Sequence, residues 1–402
     1  MKNISKSAFK FDENSRHIAC VGTNGGTTDY GIMSGFYDAV KCIQNSLPKL
    51  TEDTIVYPLG FCERHCIELG LKIIIKNILA FDCIKIRINS NDEKYIKDVL
   101  KKHDIKVLYN SLQKLEIVDR RLKSKIKAIN YKHKLFEFYF DNTSDAFRYD
   151  MPLIGNINKF VKEKITHISL DELWNDFDGI YKNLIECINF TEMLFYEYAL
   201  KVYTKKLSRD DLVFIAKKLP KRENWGNKKF VNVKNIIIKR FYLSNKEFSE
   251  ALHKIENHMT LCTLIGLEKK YKHFSKEAFK IYKYCYYFNN KKKEANEILN
   301  SLPFDKITKI KHLQNKYDVE VVMSKLLLKS DVKLLFLFWT FGKMNDCFIE
   351  YIDYYYVHNL ESNEHMIYDY ARKLLFDASL QAVINGMKWT GQNTYANELE
   401  RT

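Results

Sequence analysis

The sequence predicts an all-α protein built as two helical halves, and three observations carry that expectation. Only 14 Gly and 5 Pro occur in 402 residues, too little turn chemistry for a many-stranded sandwich or barrel. Hydrophobic residues make up 46% and aromatics 14%, ample material for packed cores. Through most of the chain the apolar positions recur at helical spacing. Domains of about 100–200 residues then divide this length into two units.

Taken in order, residues 17–23 (HIACVGT) form a short apolar run that ends in the Gly-rich turn GTNGG. This run matches neither GxGxxG nor the phosphate loop GxxxxGKS/T, so it reads as a tight turn. Tyr30, Met33, Phe36, Tyr37, Val40 and Ile43 then mark one face of a helix over 29–47. A long helix is expected over 53–81, capped by Asp53 or Thr54, with Pro58 tolerated in its early turns. The segment IKIRIN at 84–89 reads as a short strand, one of at most a few near the N-terminus. NDEKYIKDVLKKH and HDIKVLYNSLQKL follow as helices, the second starting at His103 and Asp104, and the helical habit continues over 119–137. FDNTSDAFRYDMPLIGN is a loop by its Asp, Asn, Ser, Pro and Gly content. Ser169 with Glu172 three residues on has the capping-box spacing, and opens a long helix over 169–199.

Pro220 and Gly226 break the pattern after that helix. The expected organisation is a helical domain over 1–205, a connecting region over 206–245 and a C-terminal helical domain over 246–402. In the last, LSNKEFSEALHKIENH, SKEAFKIYKYCYYF, PFDKITKIKHLQNKY and SDVKLLFLFWTFGKM read as successive helices with Ser or Asp near their starts, and YIDYYYVH as packing aromatics. No repeat of solenoid period is present.

A net charge of +15 permits attraction to RNA or DNA, although lysines scattered among Ile, Asn and Tyr also make an ordinary solvated basic surface. The nine cysteines are odd in number and dispersed, and MKNISKSAFKFDENSR has no apolar leader, so a reducing cytoplasm is expected. Cys62 and Cys66 flank His65 one turn apart, but no second ligand pair accompanies them, so they read as buried thiols and no metal or cofactor is expected. LLFLFWTFG lies between Lys333 and Lys343, and LKIIIKNILAF carries Lys72 and Lys76. Both fall short of the roughly 18 apolar residues a membrane span requires.

The segment FCERHCIELGLK, 61–72, poses the functional question. Residues four apart on a helix share a face, so Arg64, Glu68 and Lys72 form a column with His65 on its flank. Exposed, such a ladder contributes a few tenths of a kcal/mol per pair. Its flanks, however, demand burial, and buried charges cost several kcal/mol unless paired and often mark functional clefts. An imidazole, a carboxylate to orient it and a guanidinium are the components of acid–base chemistry on a phosphodiester. His103, Arg148 and Tyr149, in polar openings further along, are expected to fold back onto this stripe.

The runs GTNGG, YPLGFCERHCIELGLK, HDIKVLYNSL and DAFRYDMPLIGN resemble a group of bacterial proteins with a GxNGG-type start, a YPxxFxxRHxIELxLK helix, an HDLxxLW-like helix and an FRYPxDxxG-like loop. LSRDDLVFIAKKLP, Trp225, LSNKEFSEALHKIENH and LIGLE extend the likeness into the second half. That group is similar to the all-α HEPN proteins (higher eukaryote and prokaryote nucleotide-binding), many of them ribonucleases of toxin and anti-phage systems. The resemblance implies an HEPN-like bundle, a homodimer and a shared cleft holding an Arg and a His. In those proteins four to six residues separate the two, whereas here Arg64 is followed at once by His65.

The expectation is therefore a bacterial defence or stress-response protein, with RNA or a nucleotide as partner. Either it is a metal-independent ribonuclease, with Arg64, His65 and Glu68 catalytic and Lys72, His103, Arg148 and Tyr149 binding substrate, or it is a non-catalytic sensor or regulator that binds a nucleotide or a partner protein in the same pocket. The absence of a clustered carboxylate set speaks against a two-metal nuclease. If the column serves a cleft, Arg64→Ala or His65→Ala leaves the melting temperature nearly unchanged or raised; if it is a structural ladder, Glu68→Ala costs stability, more the deeper it is buried.

Overall fold

Among the residues that this computed structural model describes, 16–149, 159–258, 260–268, 276–343, 364–376 and 378–401, every regular element is a helix. The first unit, Met1–Tyr196, contains α1 (Asp29–Ser46), α2 (Glu52–Leu79), α3 (Ile84–Arg87), α4 (Ser90–Val99), α5 (Ile105–Lys114), α6 (Leu122–Ile129), α7 (Lys159–Lys162) and most of α8 (Leu170–Ala199). Side chains define several of these starts. Thr28 accepts from the Gly31 N–H, Asn89 from Asp92 and Asp104 from Val107, each satisfying an amide that the first helical turn leaves unpaired.

The centre of this unit is α2. Apart from Glu68, Lys72, Lys76 and Asn77, its second half is apolar, so it buries several faces at once. Ile67, Leu71, Ile74, Ile75 and Ile78 are wholly inaccessible. The Cys66 thiol donates to the Met33 carbonyl of α1 at 3.5 Å, and Asn77 donates to Thr191 of α8 at 3.1 Å. Polar groups buried in such a helix are costly unless they find partners inside the protein.

The second unit, Glu197–Thr402, has two apolar cores. Helices α9 (Arg209–Lys218), α10 (Lys228–Phe241), α11 (Asn245–Asn257) and α12 (Leu261–Leu264) enclose Leu212, Ile215, Ile237, Phe248 and Ile255. Ser208 with Asp211 and Ser244 with Glu247 form reciprocal caps at the starts of α9 and α11. The other core, around Phe279, Tyr282, Leu335, Phe338, Val383 and Met387, is built by α13 (Lys276–Asn290), α14 (Lys292–Asn300), α15 (Phe304–Gln314), α16 (Val319–Leu326), α17 (Lys329–Lys343), α18 (Glu364–Leu374), α19 (Ser379–Trp389) and α20 (Asn393–Arg401). Helices α17 and α19 touch backbone to backbone at Gly342 and Gly386, where a Cβ would fall 1.8 Å from a carbonyl oxygen of the partner helix.

Three expectations differ from what is found. IKIRIN begins as the helical turn α3 and not as a strand. With no partner strand its amides would go unpaired, and a helical turn satisfies them locally. The division falls at 196/197, inside α8, nine residues before the expected 205. The stretch 206–245, expected to connect, folds into α9 and α10 and helps to build a core; Pro220 and Gly226 separate two helices within one unit. YIDYYYVH lies outside the described residues, as do Asp150 and Pro152 of the polar loop.

Candidate functional site

Arg64 and Glu68 lie on the side of α2 that meets the start of α5 and the polar loop 141–149. Because Asp104 caps α5, the carbonyl of His103 stays outside the helix, and Arg64 Nη2 donates to it. The same nitrogen donates to the Asp141 carbonyl at 2.8 Å, which Arg64 Nε also reaches at 3.1 Å. Nε stands 3.3 Å from the Asp141 carboxylate, and Nη1 donates to Glu68 Oε2 at 3.2 Å. At 1% exposure, with four of its five N–H groups in these bonds, Arg64 is an internal bracket joining α2, α5 and the loop. Its guanidinium is not presented to a ligand.

Glu68 is as deeply buried, and its other oxygen, Oε1, accepts from Lys72 Nζ at 2.8 Å and meets His103 Nδ1 at 2.9 Å. Burial works to raise its pKa, but Lys72 and His103 outweigh burial and hold the carboxyl below its usual range. The ionised carboxylate makes Nδ1 of His103 the donor, so the opposite nitrogen, Nε2, is the one offered outward. The His103 side chain is 59% exposed. Thus Glu68 orients His103, and the sequence expectation that it would orient His65 is not what the geometry gives.

His65 sits on the half-buried edge of α2, stacked on Phe61 with ring centroids 5.7 Å apart and edge-on to Phe36 of α1 at 4.6 Å. Burial lowers its pKa; Glu68 pulls the other way, and Arg64, Lys72 and His103 reinforce the lowering. His65 is thereby held in its neutral form near pH 7, and it is near enough to His103 for a charge on one to disfavour a charge on the other.

The polar loop is held down at both ends. Asp141 Oδ1 accepts from the Asp145 and Ala146 amides at 3.0 and 3.3 Å, and Lys159 of α7 bridges Asp141 and Asp145 at 3.0 and 2.7 Å. Phe147 presses against Gly60 so closely that a Cβ there would lie 2.4 Å from its ring. This docking places the exposed Arg148 5.7 Å above Phe61, one turn from His65, and 5.3 Å from the Tyr149 ring. Glu68, Lys72 and His103 are therefore in contact, with His65 beside them and Arg64 beneath, whereas Arg148 and Tyr149 lie at the Phe61 end of the stripe, about 16 Å of helix rise from Lys72. A cavity of about 510 Å³ is lined by Phe147 with Phe138, Phe140, Phe160 and Leu173 among others. Neither His65 nor His103 lines it.

Sequence reasoning missed Asp141 and Lys159, whose pairings with α2 and the loop are long-range. It also missed Glu63, which is wholly buried with neither carboxylate oxygen bonded; burial pushes its pKa well above the ordinary 4.5. Cys66 is buried and Cys62 half-buried, and burial raises both thiols. Among the described residues no group of three or more His, Cys, Asp or Glu is placed to hold a metal ion, and no helix is long and apolar enough to cross a membrane. Comparison with family models, with curated proteins and with solved structures finds no match to the chain.

Proposed function

We propose that this surface is an RNA-directed site that cleaves phosphodiesters without a metal, in keeping with the HEPN-like resemblance. The observation that carries the reading is the Glu68–His103 dyad: a buried, ionised carboxylate 2.9 Å from Nδ1 of an imidazole whose side chain is 59% exposed. Beside it stands a second histidine held neutral by burial. Neutral His65 takes the proton from a ribose 2′-hydroxyl, whose oxygen attacks phosphorus. The P–O5′ bond breaks, and His103, protonated at Nε2, returns a proton to the leaving 5′-oxygen. The products are a 2′,3′-cyclic phosphate and a 5′-hydroxyl. Lys72 and Arg148 supply positive charge for the phosphate, and Tyr149 and Phe61 offer faces for base stacking. Arg64 acts here as a positioning residue through Glu68 and the His103 backbone.

The test is cleavage of a fluorescent RNA oligonucleotide in the presence of a chelator. His103→Gln and His65→Gln are each expected to lower the rate by about 10²–10⁴-fold, the usual worth of a positioned acid or base, with RNA binding retained. Wild-type protein that binds the RNA and leaves it intact would establish the sensor reading, which Arg64's internal commitment favours. Wild-type cleavage undiminished in both variants would remove the site. The same reading places the protein in the cytoplasm of a bacterium, acting in defence or stress response as a homodimer. Light scattering that returns only 47.7 kDa at micromolar concentration counts against the dimer.

A further inference from the structure

The residues 217–246 contain ten lysines and arginines and the single acid Glu223, an excess of nine in thirty residues of a chain whose whole net charge is +15. Helix α10 is the core of that segment. Its apolar side is already used: Ile237 is buried, and Phe230, Val233, Ile238 and Phe241 pack on the α9–α12 core. On the opposite side Lys228, Asn232, Asn235 and Lys239 follow one another at spacings of four, three and four, all exposed, so they form a single stripe along about three turns. Lys229 and Arg240 flank it, also exposed. Among the described residues, none of Lys228, Lys229, Lys234, Lys239 and Arg240 pairs with a carboxylate, in contrast to Lys206 and Arg222 nearby, which pair with Glu247 and Glu256. Arg240 is held over Phe214 at 4.4 Å, which fixes its direction.

We infer that this face of α10 is a docking surface for the phosphate backbone of RNA. The density of unpaired cations favours a polyanion. An anionic membrane is the competing occupant, and the stripe argues against it: asparagine amides at its centre suit hydrogen bonding to phosphate and base edges and are costly in lipid. The exposed apolar residues of the helix, Val231 and Ile236, stand about 140° apart around the axis and make no continuous apolar strip of the kind interfacial helices bury. At the C-terminal end Tyr242 is 85% exposed in a left-handed conformation, φ 52 and ψ 45, next to Arg240. Its ring is available for stacking on a base, the other half of single-strand recognition. The preference for a nucleic-acid backbone stands on α10 alone; the choice of RNA over DNA rests on the reading of the Glu68–His103 site.

The experiment is fluorescence anisotropy with a labelled single-stranded RNA 20-mer, a DNA 20-mer of the same sequence, and vesicles of phosphatidylcholine with phosphatidylserine. His103→Gln protein is used throughout, so that cleavage cannot interfere. The triple variant Lys228→Gln, Lys229→Gln, Lys239→Gln is expected to weaken RNA binding at least tenfold at 0.15 M salt. It is also expected to make the slope of log affinity against log salt shallower by about two, since each lost phosphate contact removes about 0.7. The control triple Lys309→Gln, Lys311→Gln, Lys316→Gln removes the same charge from exposed positions of α15 and the residues after it, and is expected to change affinity less than twofold. Tyr242→Gly is expected to weaken binding about fivefold or more while melting no lower than the parent, because glycine relieves the left-handed backbone. Equal losses in the two triples, tighter binding to vesicles or DNA than to RNA, or undiminished RNA binding in the α10 triple would each overturn the assignment. Failure of the cleavage test in otherwise RNA-binding protein refutes the dyad and leaves this surface standing.

Discussion

Glu63 and Glu68 lie five residues apart on α2, 0% and 1% exposed, yet they are in opposite states. Glu68 receives Arg64, Lys72 and His103 within 3.2 Å and is held ionised below the usual carboxylate range. Glu63 has no hydrogen-bond partner for either oxygen and is pushed well above that range by burial. Burial is common to both, so it cannot decide the charge; the partners do. Only the paired glutamate is linked to a side chain that reaches solvent, which is why the candidate chemistry gathers around it.

The harshest way to break this contrast is to take the guanidinium from Glu68. Arg64→Met keeps most of the volume but leaves the buried Glu68 carboxylate short of a partner and the His103 and Asp141 carbonyls without their donor. The expected loss is about 3–5 kcal/mol in urea denaturation, the cost of breaking a buried pair from one side. The sequence alone pointed the other way, since a cleft arginine would be removable at little cost to the melting temperature. An unchanged midpoint would restore that view.

Next in size is the unpaired acid. Below pH 4.5 Glu63 is protonated in the folded and the unfolded chain alike. As pH rises past 4.5 the unfolded chain gives up the proton and the folded one keeps it, so stability falls until the pH passes the raised folded value. Glu68 acts in the reverse sense. Its contribution is present above the unfolded value and is lost as pH drops through the depressed folded one, below 4.5. Glu63→Leu, close in volume, is therefore expected to stabilise the protein at pH 8 by about 1–3 kcal/mol, the penalty of an unsatisfied buried polar group, and to flatten the decline between pH 5 and 8. Denaturation curves at both pH values decide it, and a variant with the wild-type slope would mean that Glu63 finds a partner in solution.

Helices in both units were legible because their signals are local. Ser244 with Glu247, Asp104 before Ile105, and the Ile and Leu spacing of 71–78 all act within a turn or two of chain. The column Arg64–Glu68–Lys72 was legible for the same reason, being a matter of helical spacing. Its depth was not. Arg64 is satisfied by the carbonyl of Asp141, 77 residues away, and by that of His103, 39 away; backbone acceptors leave no trace in residue identity. Glu63 was invisible for a related reason, since a glutamate beside buried cysteines looks in sequence like one more member of a charged stripe. Phe147 on Gly60 required knowing which loop lies over which turn.

The smallest expected effect supplies the calibration for the rest. Glu68–Lys72 and Glu93–Lys97 are both Glu-to-Lys pairs four residues apart on a helix, at 2.8 and 2.5 Å, so their geometry and orientation to the helix dipole match. They differ in exposure: 1% and 14% for the first, 19% and 59% for the second. Lys97→Ala leaves Glu93 able to recover its solvation from water, and is expected to cost about 0.3–0.5 kcal/mol, falling further in 0.5 M salt as the pair is screened. Lys72→Ala leaves Glu68 where water cannot follow, and is expected to cost about 1–3 kcal/mol with little salt dependence. The two variants, measured side by side in urea at low and high salt, separate the cost of burial from the worth of the pairing itself. If both lost the same few tenths, the column on α2 would be an exposed ladder in solution, and the case for an ionised Glu68 orienting His103 would fall with it.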